Sequence, residues 1–71
     1  MPKLPRVSGA EIIRALERLG FVRIRQSGSH VILRRGNKGC VVSMHLEVKV
    51  GTLAGLLRQA EVSVEDFTQA R

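Results

Sequence analysis

The 71-residue sequence contains no tryptophan and no tyrosine, and phenylalanine occurs only twice, at Phe21 and Phe67. Aromatic side chains are the usual platform on which unpaired nucleobases stack, so the chain is not expected to discriminate bases by stacking. The single cysteine, Cys40, excludes an internal disulfide and any CxxC metal motif. We therefore interpret Cys40 as a small apolar residue within a strand.

Metal sites and membrane segments are also not indicated. The two histidines and one cysteine are not spaced like zinc ligands, so we expect no metal and no other cofactor. No apolar run approaches the roughly 18 residues that cross a bilayer, and the first residues lack the apolar stretch of a signal peptide. These absences predict a cytoplasmic protein without a membrane segment.

Acidic residues are scarce, with six against twelve lysines and arginines, which gives a formal net charge of +6. The charge is uneven, because residues 21 to 49 contain six basic residues and only one acid, for a local balance of +5. The six are Arg23, Arg25, Arg34, Arg35, Lys38 and Lys49, and the acid is Glu47. Such a concentration favours a polyanionic partner, most often nucleic acid, over a domain that is merely basic and soluble.

The predicted helices have recognisable ends within one domain spanning residues 1–71. Residues 1–7 contain both prolines and are predicted to be an extended leader. Ser8 and Glu11 have capping-box spacing, so a first helix is expected over residues 9–19, ended by Gly20. Thr52 is the predicted N-cap of a second helix, and Ser63 that of a short final one. The expected core positions of the helices are Ile12, Leu16, Leu53, Leu56 and Leu57.

Three alternating segments, residues 21–26, 30–35 and 40–44, predict β-strands. With the helices they give an α+β fold of order α-β-β-β-α, in which two helices cover one face of a three-stranded antiparallel sheet and a short helix follows. The predicted apolar face comprises Val22, Ile24, Val31, Leu33, Cys40, Val42 and Met44. The predicted open face carries Arg23, Arg25, Arg34, His30 and His45.

The two histidines suggest a chemical site. A hairpin around residues 36–39 with a symmetric register makes paired residue numbers sum to 75, which places His30 opposite His45. Imidazoles with an unperturbed pKa near 6.5 serve as general acids and bases near neutral pH. Beside arginines, such a pair suits cleavage of a phosphodiester.

The order of elements and several motifs resemble the HicA family of bacterial toxins, over nearly the whole chain. The motifs are Gly28-Ser29-His30, Val41-Val42-Ser43-Met44-His45, Lys49-Val50-Gly51-Thr52-Leu53 and Leu56-Leu57-Arg58-Gln59-Ala60. The resemblance implies a double-stranded-RNA-binding-like fold and an mRNA interferase of a type II toxin-antitoxin system, which cleaves RNA without a metal and is silenced by a HicB antitoxin. It also implies that His30 is the catalytic histidine, and that Glu61 stands where a glycine often ends the second helix.

Each candidate site residue also has an interpretation without a functional role. His45 is a candidate for the second catalytic role, and a surface histidine without function is the alternative for both histidines. The candidate RNA-binding residues are Arg23, Arg25, Gly28, Ser29, Arg34 and Lys49. The alternatives are a solvated face for the arginines and Lys49 and a simple turn for Gly28 and Ser29.

The sequence is also compatible with two other functions. One is a non-catalytic RNA-binding module of the same fold. The other is a protein-interaction domain whose basic face binds an acidic protein. The expected partners are mRNA and a HicB-like antitoxin, and the free protein is expected to be a monomer.

Overall fold

The computed structural model describes residues 4–71. Its elements are α1 (Gly9–Arg18), β1 (Val22–Ser27), β2 (His30–Arg35), β3 (Lys38–Ser43), α2 (Val50–Ala60) and α3 (Val64–Ala70). The strands form one antiparallel sheet in the order β1-β2-β3. This arrangement confirms the α+β class and the predicted order of elements. Within residues 4–71, none of the helices combines the length and the apolar composition that spanning a bilayer requires.

Helix α1 begins at the capping box that the sequence predicted. The Ser8 hydroxyl accepts a hydrogen bond from the Glu11 amide at 3.1 Å, and a Glu11 carboxylate oxygen accepts one from the Ser8 amide at 3.2 Å. The bond from the Ser8 amide is the main cause that lowers the pKa of the Glu11 carboxyl. Gly20, with φ +98°, ends the helix in the left-handed region.

The core lies between the helices and one face of β2 and β3. Val31, Leu33, Cys40 and Val42 of the sheet are buried, as are the predicted core residues of α1 and α2. Met44 was predicted to join them but is 41% exposed. It follows the last residue of β3, where the chain leaves the covered part of the sheet. Burial raises the pKa of the Cys40 thiol, which supports its interpretation as an apolar strand residue.

Strand β1 contradicts the predicted face pattern because it contains a bulge. Arg23 pairs with Leu33, but Arg25 pairs with Ile32, so Ile24 is the extra residue. A bulge changes which face the preceding residues occupy. Val22 and Ile24 are accordingly 61% and 56% exposed, so their prediction as core residues was wrong.

The β2–β3 hairpin has a shorter loop than predicted. Its two loop residues are Gly36 and Asn37, and Gly36 has φ +59°, the left-handed value favoured at the first loop position of a type II′ turn. Gly39 belongs to β3, opposite Arg34. Paired residue numbers therefore sum to 73 rather than 75. The two-residue difference preserves the faces of β2 and β3 because side chains alternate with period two.

Helix α2 begins earlier than predicted and ends in an unusual conformation. Its N-cap is Lys49, without a side-chain capping bond, so the prediction of Thr52 as the cap was wrong. Glu61 follows α2 with φ +56° and ψ +43°. This is the conformation that glycine adopts most easily.

Residues near both ends of the described range also contribute to the core. Val7 is 2% exposed and pairs with Val48 through an isolated antiparallel bridge, so the predicted leader ends in a core residue. Residues 1–3 of that leader lie outside the described range. Ser63 caps α3 as predicted by accepting from the Asp66 amide at 3.1 Å. Phe67 on α3 is fully buried.

Candidate functional site

His30 is exposed at the first position of β2, directly after a two-residue turn. Gly28 opens the turn with φ +58°. The carbonyl oxygen of Ser29 accepts a hydrogen bond from the Met44 amide at 2.7 Å, which ties the turn to the end of β3. These local features give the backbone of His30 a defined position at one end of the central strand.

The register places serines, not a histidine, on either side of His30. Ser27 of β1 and Ser43 of β3 are its cross-strand partners. The prediction that His30 pairs with His45 was therefore wrong, because it depended on the longer hairpin loop. Residues directly opposite one another share a face, and Val31 lies on the buried face. His30, Ser27 and Ser43 consequently form a polar row on the open face.

His45 lies beyond β3, in the segment that leads to α2. Its carbonyl oxygen accepts a hydrogen bond from the Gly9 amide at 2.9 Å, so the backbone of this residue is anchored to the start of α1. The exposed His45 and Lys49 help to line a cleft of about 320 Å³. The complete lining is Ser43, His45, Glu47, Val48, Lys49 and Thr52. Ser43 thus belongs both to this cleft and to the row that contains His30.

The strand arginines divide between the two faces of the sheet. Arg25 pairs with Ile32, and Arg34 pairs with Val22 and Gly39, which places both arginines on the open face with His30. Arg23 pairs with Leu33 on the opposite face, and its Nε lies 3.4 Å from Oε2 of Glu17 on α1. The prediction that Arg23 shares a face with His30 was therefore wrong, because of the bulge.

Three of the six clustered basic residues have structural partners. Besides Arg23, these are Lys38, which forms an ion pair with Glu61, and Arg35. Arg35 donates to the Leu19 carbonyl at 2.8 Å and lies 4.8 Å from the centre of the Phe21 ring. Within residues 4–71, the other three, Arg25, Arg34 and Lys49, form no ion pair with an acid. They are the basic side chains of the cluster that remain available to an anion.

The residues that sequence reasoning missed are those that hold this end of the sheet. The pairing of Ser43 with His30 was missed, because it depends on the register of the hairpin alone. Gly9 is buried, and a Cβ there would lie 2.9 Å from Cα of Met44. The position of Gly9 at the start of a helix, next to the cap, was the available signal. Among the described residues, no group of three or more histidine, cysteine or acidic side chains converges as a metal site would.

Comparison with known proteins identifies the family. The model of the HicA toxin of bacterial toxin-antitoxin systems matches residues 9–62, which is most of the chain. The chain belongs to the HicA toxin family. It is therefore the toxin component of a toxin-antitoxin pair, and the family implies an antitoxin partner. No curated protein and no solved structure matched the chain.

The family match extends from the first residue of α1 to just beyond α2. It includes the Gly28-Ser29-His30 turn, the whole sheet and the cleft at the start of α2. Helix α3, which supplies Phe67 to the core, lies outside the matched range. The candidate site of this HicA toxin is thus formed entirely by the matched region.

Proposed function

We propose that this HicA toxin is a metal-independent endoribonuclease, an mRNA interferase, in which His30 acts as a general acid or base. The observation that carries the proposal is the exposed position of His30 immediately after the Gly28-Ser29 turn in a chain of this family. The proposal extends to a HicB-like antitoxin that silences the activity in the cytoplasm.

The chemistry requires only side chains and the RNA itself. The 2′-oxygen of a ribose forms a bond to the adjacent phosphorus, and the bond from phosphorus to the 5′-oxygen breaks. One group takes the proton of the 2′-hydroxyl, and another gives a proton to the leaving oxygen. Histidine performs either task near neutral pH. His30 performs one of them, and His45 is the candidate for the other.

The surroundings of His30 support phosphate binding. Arg25 and Arg34 share its face and have no acidic partner in the described range, so they can stabilise the charge that develops on the phosphoryl oxygens. Neither the Gly28 amide nor the Ser29 amide donates a hydrogen bond within residues 4–71, so both N–H groups of the turn can meet a phosphate. Lys49 beside His45 supplies a further positive charge. Recognition through phosphates predicts weak sequence preference and binding that weakens with salt.

The deciding experiment is a cleavage assay with a labelled mRNA in the presence of EDTA. We expect the parent protein to generate fragments that end in a 2′,3′-cyclic phosphate. His30→Ala should cleave about 10² to 10⁴ times more slowly, while its thermal unfolding and RNA affinity stay close to those of the parent. Gln69→Ala, a change at an exposed position of α3, is the matched control.

Two results would contradict the proposal. If His30→Ala cleaves at the parental rate, His30 has no acid-base role. If the parent binds RNA with the expected salt dependence but never cleaves it, the chain is the non-catalytic RNA-binding module of the same fold.

A further inference from the structure

Ser43 is the closest cross-strand neighbour of His30. The Met44 amide donates to the Ser29 carbonyl at 2.7 Å, which marks Ser29 and Met44 as a hydrogen-bonded pair of the β2–β3 ladder. Hydrogen-bonded and non-hydrogen-bonded pairs alternate along an antiparallel ladder, so the next pair, His30 with Ser43, is non-hydrogen-bonded. In such a pair the Cα atoms are about 4.5 Å apart and the side chains approach most closely. The side chain of Ser43 therefore lies beside that of His30.

Ser27, the other serine of the row, is a more distant neighbour. The N–H and C=O of one strand residue point toward the same neighbouring strand. Those of His30 are not directed at β3, so they point toward β1, and the pair of His30 with Ser27 is of the hydrogen-bonded type. The Cα atoms in that type are about 5.5 Å apart. The two serines thus share a residue type and a partner but differ in their distance from His30.

Ser43 also differs from Ser27 in lining the cleft at the start of α2, whose volume is about 320 Å³. Most of the residues that line this cleft are exposed, whereas Val48 is buried and Ser43 is half-buried. The least exposed lining residues lie deepest, so Ser43 supplies the polar side chain at the floor of the cleft. The exposed His45 and Lys49 lie at its rim.

The Ser43 hydroxyl is available to a ligand, and the backbone that carries it is fixed. Within residues 4–71, no hydrogen bond involves Oγ of Ser43, and no side-chain polar atom is both buried and unpaired. The hydroxyl is therefore in contact with solvent. The Ser43 carbonyl accepts from the His45 amide at 2.9 Å, and Gly9 packs against the same carbonyl. A donor held in this way can bind a ligand with little reorganisation.

The charges around Ser43 favour a phosphate as that ligand. Lys49 forms no ion pair with an acid in the described range, and it lines the cleft together with His45. Glu47 is the one acid of the lining, but its Oε1 lies 3.8 Å from Nη1 of Arg6, which partly compensates its charge. Hydrogen bonds to an ionised acceptor are about twice as strong as those between neutral groups. A phosphoryl oxygen therefore suits this set of donors.

We propose that Ser43 is a catalytic residue whose hydroxyl donates a hydrogen bond to a non-bridging oxygen of the phosphate that is cleaved. This inference rests on the proposed function. A phosphate held by Ser43 lies near both histidines, since His30 is directly opposite and His45 is two residues along the chain, a span of at most about 7 Å. Ser43 gains and loses no proton in the reaction. Its hydrogen bond strengthens as charge builds on the phosphoryl oxygen.

The test compares Ser43→Ala with Ser27→Ala in the full chain. The substrate is a short RNA that contains one cut site mapped with the parent protein, and single-turnover rates are measured at saturating protein. Ser43→Ala should cleave about 10 to 100 times more slowly, the effect of one hydrogen bond to a charged group. Ser27→Ala should stay close to the parent. Ser43→Thr keeps a hydroxyl on a side chain that suits strands and should retain most of the activity.

Sulfur substitution in the RNA identifies the acceptor of the Ser43 hydrogen bond. Sulfur in place of one non-bridging oxygen at the cut site is a poor acceptor, so the parent should cleave one of the two stereoisomers more slowly than normal RNA. In Ser43→Ala the same sulfur should cause a much smaller further loss, because both changes remove one interaction. In Ser27→Ala the sulfur should cause the same loss as in the parent.

Three results would overturn the inference while leaving the proposed function intact. If the losses from sulfur and from Ser43→Ala simply multiply, Ser43 acts through His30 and not on the phosphate. If both alanine variants lose activity equally, the proximity of Ser43 has no special role. If neither variant loses activity, the Ser43 hydroxyl does not contact the reacting phosphate.

A binding measurement decides the case in which the parent does not cleave RNA and the proposed function fails. The probe is a DNA oligonucleotide, which has phosphates but no 2′-hydroxyl. If Ser43→Ala binds it more weakly than Ser27→Ala does, the phosphate contact of Ser43 stands without a catalytic role, and equal affinities refute the contact. Thermal unfolding checks that the variants are folded. If Ser43→Ala does not fold, the oligonucleotide must shift the amide NMR signal of Ser43 in the parent, and an unshifted signal would refute the contact.

Discussion

Gly9 at the start of α1 lies against the backbone of Ser43 at the end of β3. Its amide donates to the His45 carbonyl at 2.9 Å, and an added Cβ would overlap the Ser43 carbonyl oxygen and lie 2.9 Å from Cα of Met44. The three contacted residues are Ser43, which lies opposite His30, and the next two residues of the chain, Met44 and His45. The absence of a side chain at Gly9 therefore allows α1 to pack against this end of the sheet.

Gly9→Ala should lower the free energy of unfolding by about 1 to 3 kcal/mol, the range for overpacking a tight interior. Gly55→Ala is the matched control, since the nearest atom to a Cβ there is a guanidinium nitrogen of Arg58 at 4.0 Å. In the middle of α2 that change should raise the free energy of unfolding by about 0.5 to 1 kcal/mol. Urea denaturation of both variants measures the difference, and equal effects would contradict the close packing at Gly9.

Arg34→Ala should weaken RNA binding. It should also make the plot of log affinity against log salt concentration less steep, by about the contribution of one phosphate contact. Arg23→Ala should change both quantities much less, because Arg23 lies on the opposite face beside Glu17. Both are exposed strand arginines with the same change in net charge. Fluorescence titrations at several salt concentrations compare them, and equal slopes for the two variants would argue against binding on the open face.

His45→Ala tests whether a second histidine takes part in catalysis. If His45 donates or accepts a proton, cleavage should fall by about 10² to 10⁴, as for His30→Ala. RNA affinity should change little. A loss restricted to RNA affinity would assign His45 to binding within its cleft, beside Lys49. Single-turnover rates at saturating protein distinguish the two results.

Glu11 predicts an acid-dependent loss of stability. Its pKa is lowered in the folded state from the ordinary value of 4.5, chiefly by the backbone bond at Ser8. A carboxyl with a lowered pKa stabilises the fold above pH 4.5. This contribution is lost as the pH falls from 4.5 through the lower pKa of the folded state. Glu11→Gln should therefore show a shallower fall in melting temperature over that range than the parent. A Glu11→Gln variant that loses melting temperature as steeply as the parent would contradict this assignment.

The predictable parts of the fold were those with a local signal. The Ser8 capping box, the Gly20 helix end and the apolar positions of α1 and α2 each depend on residues a few positions apart. The buried faces of β2 and β3 were also predicted correctly despite a wrong register. The alternation of side chains assigns each residue to a face but does not fix its partner. Because the true loop is two residues shorter than the predicted one, every residue of β2 and β3 keeps its predicted face.

The unpredicted parts depend on contacts between distant segments. The bulge at Ile24 follows from how β1 pairs with β2, and alternation within β1 argued for an uninterrupted strand. Val7 is buried because it meets Val48, about forty residues away in the chain. His30 itself could be selected from its motif, but its serine neighbours required the correct hairpin loop.

The bulge also determines how the open face of the sheet responds to a change in chain length. Removal of the codon for Ile24 would restore simple alternation in β1 without moving its neighbours, because Arg23 already pairs with Leu33 and Arg25 with Ile32. Arg23 would stay on the face toward the helices, while Val22, Arg25 and Ser27 stayed on the open face. A single in-frame deletion would thus remove one exposed apolar side chain and the local kink of the bulge. Among relatives of this chain, a one-residue length difference at this position therefore indicates the gain or loss of an exposed side chain and not a strand with exchanged faces.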